Sequence, residues 1–217
     1  MEQSNVINAY CERVGLGFWD EPLNAVTNLA FVIAGLWVWM RGRGVIPVQV
    51  LAAVLIAIGI GSGLWHTLAR PWTGAADVLP IVIYVLAYVY FANRYYWGMS
   101  VPWAAGGTVA FFPYAAATIP LFSMVPGIGG SAAYMPVPLL IAIYAVLLRK
   151  RLPEVARGLG IGVAILTVSL LMRILDEPIC DAFPIGTHFL WHVLNAIMLG
   201  WMAEVLRRHL AGGGRGR

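Results

Sequence analysis

Seven apolar runs constrain this chain more than any other feature: residues 23–39, 46–68, 78–95, 101–120, 132–148, 155–175 and 187–206. A helix rises 1.5 Å per residue, so about 20 apolar residues cross a hydrocarbon core about 30 Å thick. Helices and closed barrels are the only backbones that satisfy their own polar groups at that depth. The first run begins beside Asp20 and Glu21, and Pro102, Pro113 and Pro120 punctuate the fourth. Charged residues make up 11% of the chain, where a soluble domain carries about 25%. The loops between runs are short, so residues 1–217 are expected to form one all-α integral membrane bundle of seven transmembrane helices. Residues 1–20 make an outer N-terminal segment and 209–217 a basic tail. Residues 1–10 are polar and lack the apolar stretch of a signal peptide.

Charge predicts the orientation. Arg41, Arg43, Arg94, Arg149, Lys150, Arg151, Arg157, Arg207, Arg208, Arg215 and Arg217 all fall on one side of a seven-pass threading, eleven of the fourteen Lys and Arg residues. That side is cytoplasmic by the positive-inside rule, with the N-terminus outside and the C-terminus inside. Solvated loops meeting anionic lipid account for these charges without nucleic acid.

Within this frame the histidines stand out. His188 and His192 lie four residues apart at the start of the seventh run, on one helix face, which is the spacing that offers two nitrogens to one metal ion. His66 ends the second run at the same outer depth, with Ser62 one turn deeper on its face, and Asp77 enters the third run from that side. His209 lies at the opposite end. Three histidines that leave a fourth coordination position open form the catalytic pattern for zinc. A carboxylate such as Asp77 then moves protons, and Ser62 donates to a developing oxyanion. Taken singly, Asp77 before Pro80 also reads as a helix cap, Ser62 as a residue bonding its own backbone, and the histidines as a buried set bonding one another.

In the N-terminal segment, Glu12, Asp20 and Glu21 offer either hard oxygen ligands to calcium or charge for the positive end of the first helix. Asn24 and Asn28 should face the bundle interior and bond a neighbouring helix. Arg173, ending the sixth run, should snorkel or pair with Asp176, Glu177 or Asp181. Cys11 and Cys180 both fall in outer loops, where they either form a disulfide that pins the N-terminal segment to the loop before the seventh helix or remain two free thiols.

Ser62-x-x-x-His66, Asp77 and His188-x-x-x-His192, together with Cys11-Glu12 and Glu21-Pro22-Leu23-Asn24 at the first helix, resemble the alkaline ceramidases. These belong to a superfamily of seven-pass hydrolases that includes the adiponectin-receptor-like proteins; the orientation expected here suits the ceramidases. The resemblance implies a zinc amidase that cleaves the N-acyl bond of ceramide or another N-acyl lipid, releasing a sphingoid base and a fatty acid. It makes His66, His188 and His192 the zinc ligands, Asp77 the proton-transfer residue and Ser62 the oxyanion or zinc-shell partner. It also implies calcium at Glu12 and Glu21. Ala9 and Val14 depart from that pattern, standing where the animal enzymes carry an aspartate and an asparagine, and the Glu12-to-Glu21 spacing is shorter. The competing readings are a hydrolase of the same fold acting on another acyl lipid, and a zinc-containing seven-pass receptor with no turnover.

Overall fold

The computed structural model describes residues 6–213. Glu2 and the end of the expected tail, with Arg215 and Arg217, lie outside the described residues. Among the described residues all regular structure is helical: α1 (Pro22–Thr27), α2 (Leu29–Arg41), α3 (Ile46–Leu68), α4 (Pro71–Phe91), α5 (Val101–Val109), α6 (Phe111–Ser123), α7 (Pro136–Leu148), α8 (Pro153–Leu175) and α9 (His188–Ala211). Seven helical spans are long and apolar enough to cross a membrane, as expected: Pro22–Arg41, Ile46–Leu68, Pro71–Tyr96, Val101–Ser123, Gly129–Leu148, Pro153–Leu175 and His188–Ala211. Proline stands in the first turn of α1, α3, α4, α5, α7 and α8. At that place its missing N–H deprives no helical carbonyl, and its fixed φ suits the helix.

Two spans are broken. The first divides at Asn28, where Thr27 Oγ1 donates back to the Leu23 carbonyl at 2.8 Å and Asn28 Nδ2 to the Asn24 carbonyl at 2.8 Å. Such back-bonding competes with the backbone ladder and bends helices. Asn24 and Asn28 are buried as expected, but their amide groups bond within their own segment, Asn24 to Glu21 and Asn28 to Asn24, and not across to a neighbouring helix. The fourth span divides at Ala110, three residues before Pro113.

The start of the third span differs from the sequence reading. Residues 71–76 are helix and not loop: Pro71 opens α4, and the Thr73 hydroxyl accepts from the Arg70 N–H at 3.0 Å. Asp77 is therefore no cap. It sits in the second turn of α4, at the end of the bundle where α3 finishes and α9 begins.

Helix α9 is the axis of the packing, in contact with α1, α2, α3 and α8, while α7 packs on the far side of α8. In its most apolar window 67% of α9 is buried within the protein, against none of the fourth span, which lies at the periphery. Helix α3 comes close to two partners, and closest to α4. A Cβ on Gly59 would press on the Asn28 carbonyl, and one on Gly61 would overlap the Ala76 carbonyl of α4. Small residues admit that approach. Gly61 thereby brings Ser62 beside Asp77.

Candidate metal centre

His66, His188 and His192 converge. Their ring centroids lie 5.2 Å apart for His66 and His188, 4.6 Å for His66 and His192, and 4.7 Å for His188 and His192. Each ring presents a nitrogen within 4.8 Å of the others, and all three residues are buried. The spacing expected on α9 thus delivers two ligands to one face, and α3 supplies the third at the same depth.

The hydrogen bonds fix the tautomers of two of them. His66 Nδ1 lies 2.6 Å from Glu21 Oε2, and a carboxylate accepts, so Nδ1 carries the proton and Nε2 the lone pair. His192 Nδ1 lies 3.0 Å from Thr27 Oγ1, whose own proton goes to the Leu23 carbonyl, so His192 is also protonated on Nδ1. His66 Nε2, His192 Nε2 and His188 Nδ1 are buried with no hydrogen-bond partner. A buried nitrogen without a partner is costly, and three side by side are rare in a settled core. The set fits a zinc ion, which takes three imidazoles and leaves one place for water. A carboxylate on the distal nitrogen of His66 is the usual way a protein orients such a ligand.

Ser62 lies one turn from His66 on α3, and its side chain is near enough to the Asp77 carboxyl to act on it. Of the expected catalytic group the structure joins His66, His188 and His192 in one cluster, and it sets Ser62 and Asp77 close to each other where α3 ends and α4 begins.

The two carboxylates expected to hold calcium are committed to other partners. Glu12 accepts from the backbone N–H groups of Leu23 and Asn24 at 2.7 and 2.8 Å, closing the open end of α1. Glu21 is shared between the Arg13 guanidinium, His66 and the Asn24 amide. Arg13 also donates to the carbonyls of His66 at 3.0 Å and Gly17 at 3.3 Å. A fixed cation therefore stands on Glu21, and these residues do not fit a calcium site. Burial pushes the Glu21 carboxyl above its ordinary value while Arg13 opposes the shift. Burial likewise raises Glu12, opposed by its two backbone donors.

Three further residues stand at the centre in roles the sequence did not assign them. Tyr10 covers it, its ring stacked on His188 at 3.9 Å and tilted against His66 at 5.0 Å. Burial raises the Tyr10 phenol, and the nearby Arg173 cation opposes this. Asp176 accepts from the N–H groups of Thr187 and His188 at 2.7 and 2.8 Å, and so anchors the start of α9. Gly186, at φ +68°, leaves room for that carboxylate; a Cβ there would overlap it. Arg173 neither snorkels nor pairs with a loop acid, but turns inward among Tyr10, Tyr134 and Trp191. Its position at the end of an apolar run was the available signal, but sequence gives no direction around a helix.

Cys11 and Cys180 form a disulfide, with Cα atoms 5.3 Å apart. The expected pin between the N-terminal segment and the loop before α9 is therefore present, and it holds Tyr10 over the histidines.

No protein-family model matches this chain, and no characterised protein is significantly similar to it. The functional reading rests on the geometry of the centre.

Proposed function

We propose that the protein is a zinc-dependent lipid amidase of ceramidase type, hydrolysing the N-acyl bond of a ceramide-like lipid within the membrane. One observation carries the reading: three buried, partnerless imidazole nitrogens converge at the end of the bundle where Ser62 and Asp77 also lie. A metal-sensing receptor needs the imidazoles but has no use for a proton acceptor placed next to them.

Zinc held by His66, His188 and His192 would act as a Lewis acid and bring the pKa of a bound water to about 7. Asp77 takes the proton from the attacking water and returns it to the departing nitrogen, so the amide and water leave as a carboxylic acid and an amine. Ser62 holds the Asp77 carboxyl in place, and its hydroxyl is the donor nearest the developing oxyanion. Glu21 keeps His66 in the tautomer that leaves Nε2 free. Tyr10 and the aromatic rings around Arg173 keep bulk water out.

A small apolar crevice lined by Tyr84, Tyr88, Ile141, Met198, Leu199 and Met202 continues along α9 from the centre. Along α9 these methionines lie about 9–15 Å beyond His192 at 1.5 Å per residue, the direction an acyl chain would run from the centre. We place the N-terminus and the centre on the outer side and the C-terminus in the cytoplasm, because the described arginines gather at the other end.

The test is direct. Purified protein in nanodiscs is incubated with ceramide, with another N-acyl lipid and with an ester phospholipid, and free fatty acid is followed by mass spectrometry. Release that stops on chelation and returns with zinc supports the reading. Bound zinc with no release from any of the three lipids would leave the receptor in its place, and release from the ester alone would change the substrate class.

A further inference from the structure

Arg173 is a half-buried cation whose Nε is fully enclosed and which no carboxylate contacts directly. Its guanidinium carbon lies 5.1 Å from the ring centre of Tyr134, 5.7 Å from Trp191 and 5.9 Å from Tyr10. Its guanidinium lies close to the Tyr10 side chain, while Nε is buried with no partner. Among the described residues Arg173 makes no ion pair, although Arg13, Arg41, Arg207 and Arg208 all do. Arg173 is close enough to Asp77 to act on it electrostatically, yet does not bond it.

Aromatic faces return part of what a guanidinium loses on leaving water, but they accept none of its five directed N–H bonds. A planar fork with unused donors suits a carboxylate. The cage also shares its walls with the metal centre: Tyr10 lies against both Arg173 and His188, and Trp191 falls between His188 and His192 in sequence. We propose that Arg173 binds the carboxylate of an anionic acyl lipid in the same chamber as the histidine centre. The carboxylate comes either from the head group of an N-acyl amino acid or from the liberated fatty acid. The inference rests on the acyl-lipid hydrolase reading for its ligand class, and it is testable without turnover.

The experiment measures binding to zinc-free protein in nanodiscs with three probes: palmitate, N-palmitoylglycine and the uncharged N-palmitoylethanolamine. The variants are Arg173→Gln and Arg173→Lys, each checked for unchanged melting temperature. Loss of a charge-assisted bond predicts that Arg173→Gln weakens the carboxylate probes about 10- to 150-fold. Arg173→Lys should recover part of that loss, with N-palmitoylethanolamine unaffected throughout. Selective weakening of palmitate assigns the site to the product, and selective weakening of N-palmitoylglycine assigns it to the head group; either supports the proposal. Equal weakening of charged and uncharged probes, or no change in any, overturns it. If the wild type releases no fatty acid from any lipid but the binding pattern holds, the hydrolase reading fails and the carboxylate site stands.

Discussion

The bundle buries polar clusters at both ends, and they are built on opposite rules. At the basic end, Glu204 of α9 is buried and receives Arg41 at 3.1 Å, Arg207 at 2.6 Å and Arg208 at 2.9 Å, so both of its oxygens are occupied. At the histidine end, three imidazoles each leave a nitrogen without a partner, and a guanidinium lies among rings that accept no directed bond. The first cluster satisfies itself and can be explained by fold alone, whereas the second is incomplete without something from outside the chain. Both draw residues from α9, so one helix carries a self-satisfied polar cluster at one end and an incomplete one at the other.

Substitutions test that contrast. His66→Ala should abolish zinc retention and reduce fatty-acid release to background, measured by elemental analysis and mass spectrometry on the same sample. Asp77→Asn should lower kcat by about 10²–10⁴-fold while one zinc per chain remains, because proton transfer is lost and the ligands are untouched. Full activity in that variant removes Asp77 from the chemistry. Glu21→Gln should weaken zinc binding by about 10–100-fold in chelator competition, since the carboxylate that orients His66 is lost. The smallest functional effect is expected at the far end. Glu204→Gln should leave zinc content and kcat unchanged and cost about 1–3 kcal/mol of stability, read as a lower melting temperature. If Glu204→Gln released zinc, the two ends would not be independent and the contrast would fail.

Much of this was legible in the sequence, because a membrane makes polar residues expensive and therefore conspicuous. The seven spans followed from length and hydropathy, and the histidine set from depth. Asp77 was expected to enter its span at the histidine end, with a helix cap as its alternative role; the cap falls away because Pro71-Trp72-Thr73-Gly74, which looks like a loop, already starts the helix. The fate of Glu12 and Glu21 was not legible either. Whether a carboxylate meets an ion, a helix end or an arginine depends on the path of a loop, and nothing in the order of residues points Arg13 at Glu21. Tyr10 and Arg173 were hidden for the same reason, since their roles lie in directions around an axis. Glu204 drew no notice, because one acid near the end of a long apolar run gives no sign of three arginines converging on it.

The sulfur bridge between Cys11 and Cys180 and the Arg13 bond to the His66 carbonyl rivet the cover over the histidines at two points. A cover fixed in this way cannot swing like a flap. While the bridge stays oxidised, the segment that carries Tyr10 stays tethered above the three imidazoles, and reduction is the one change that would let it lift.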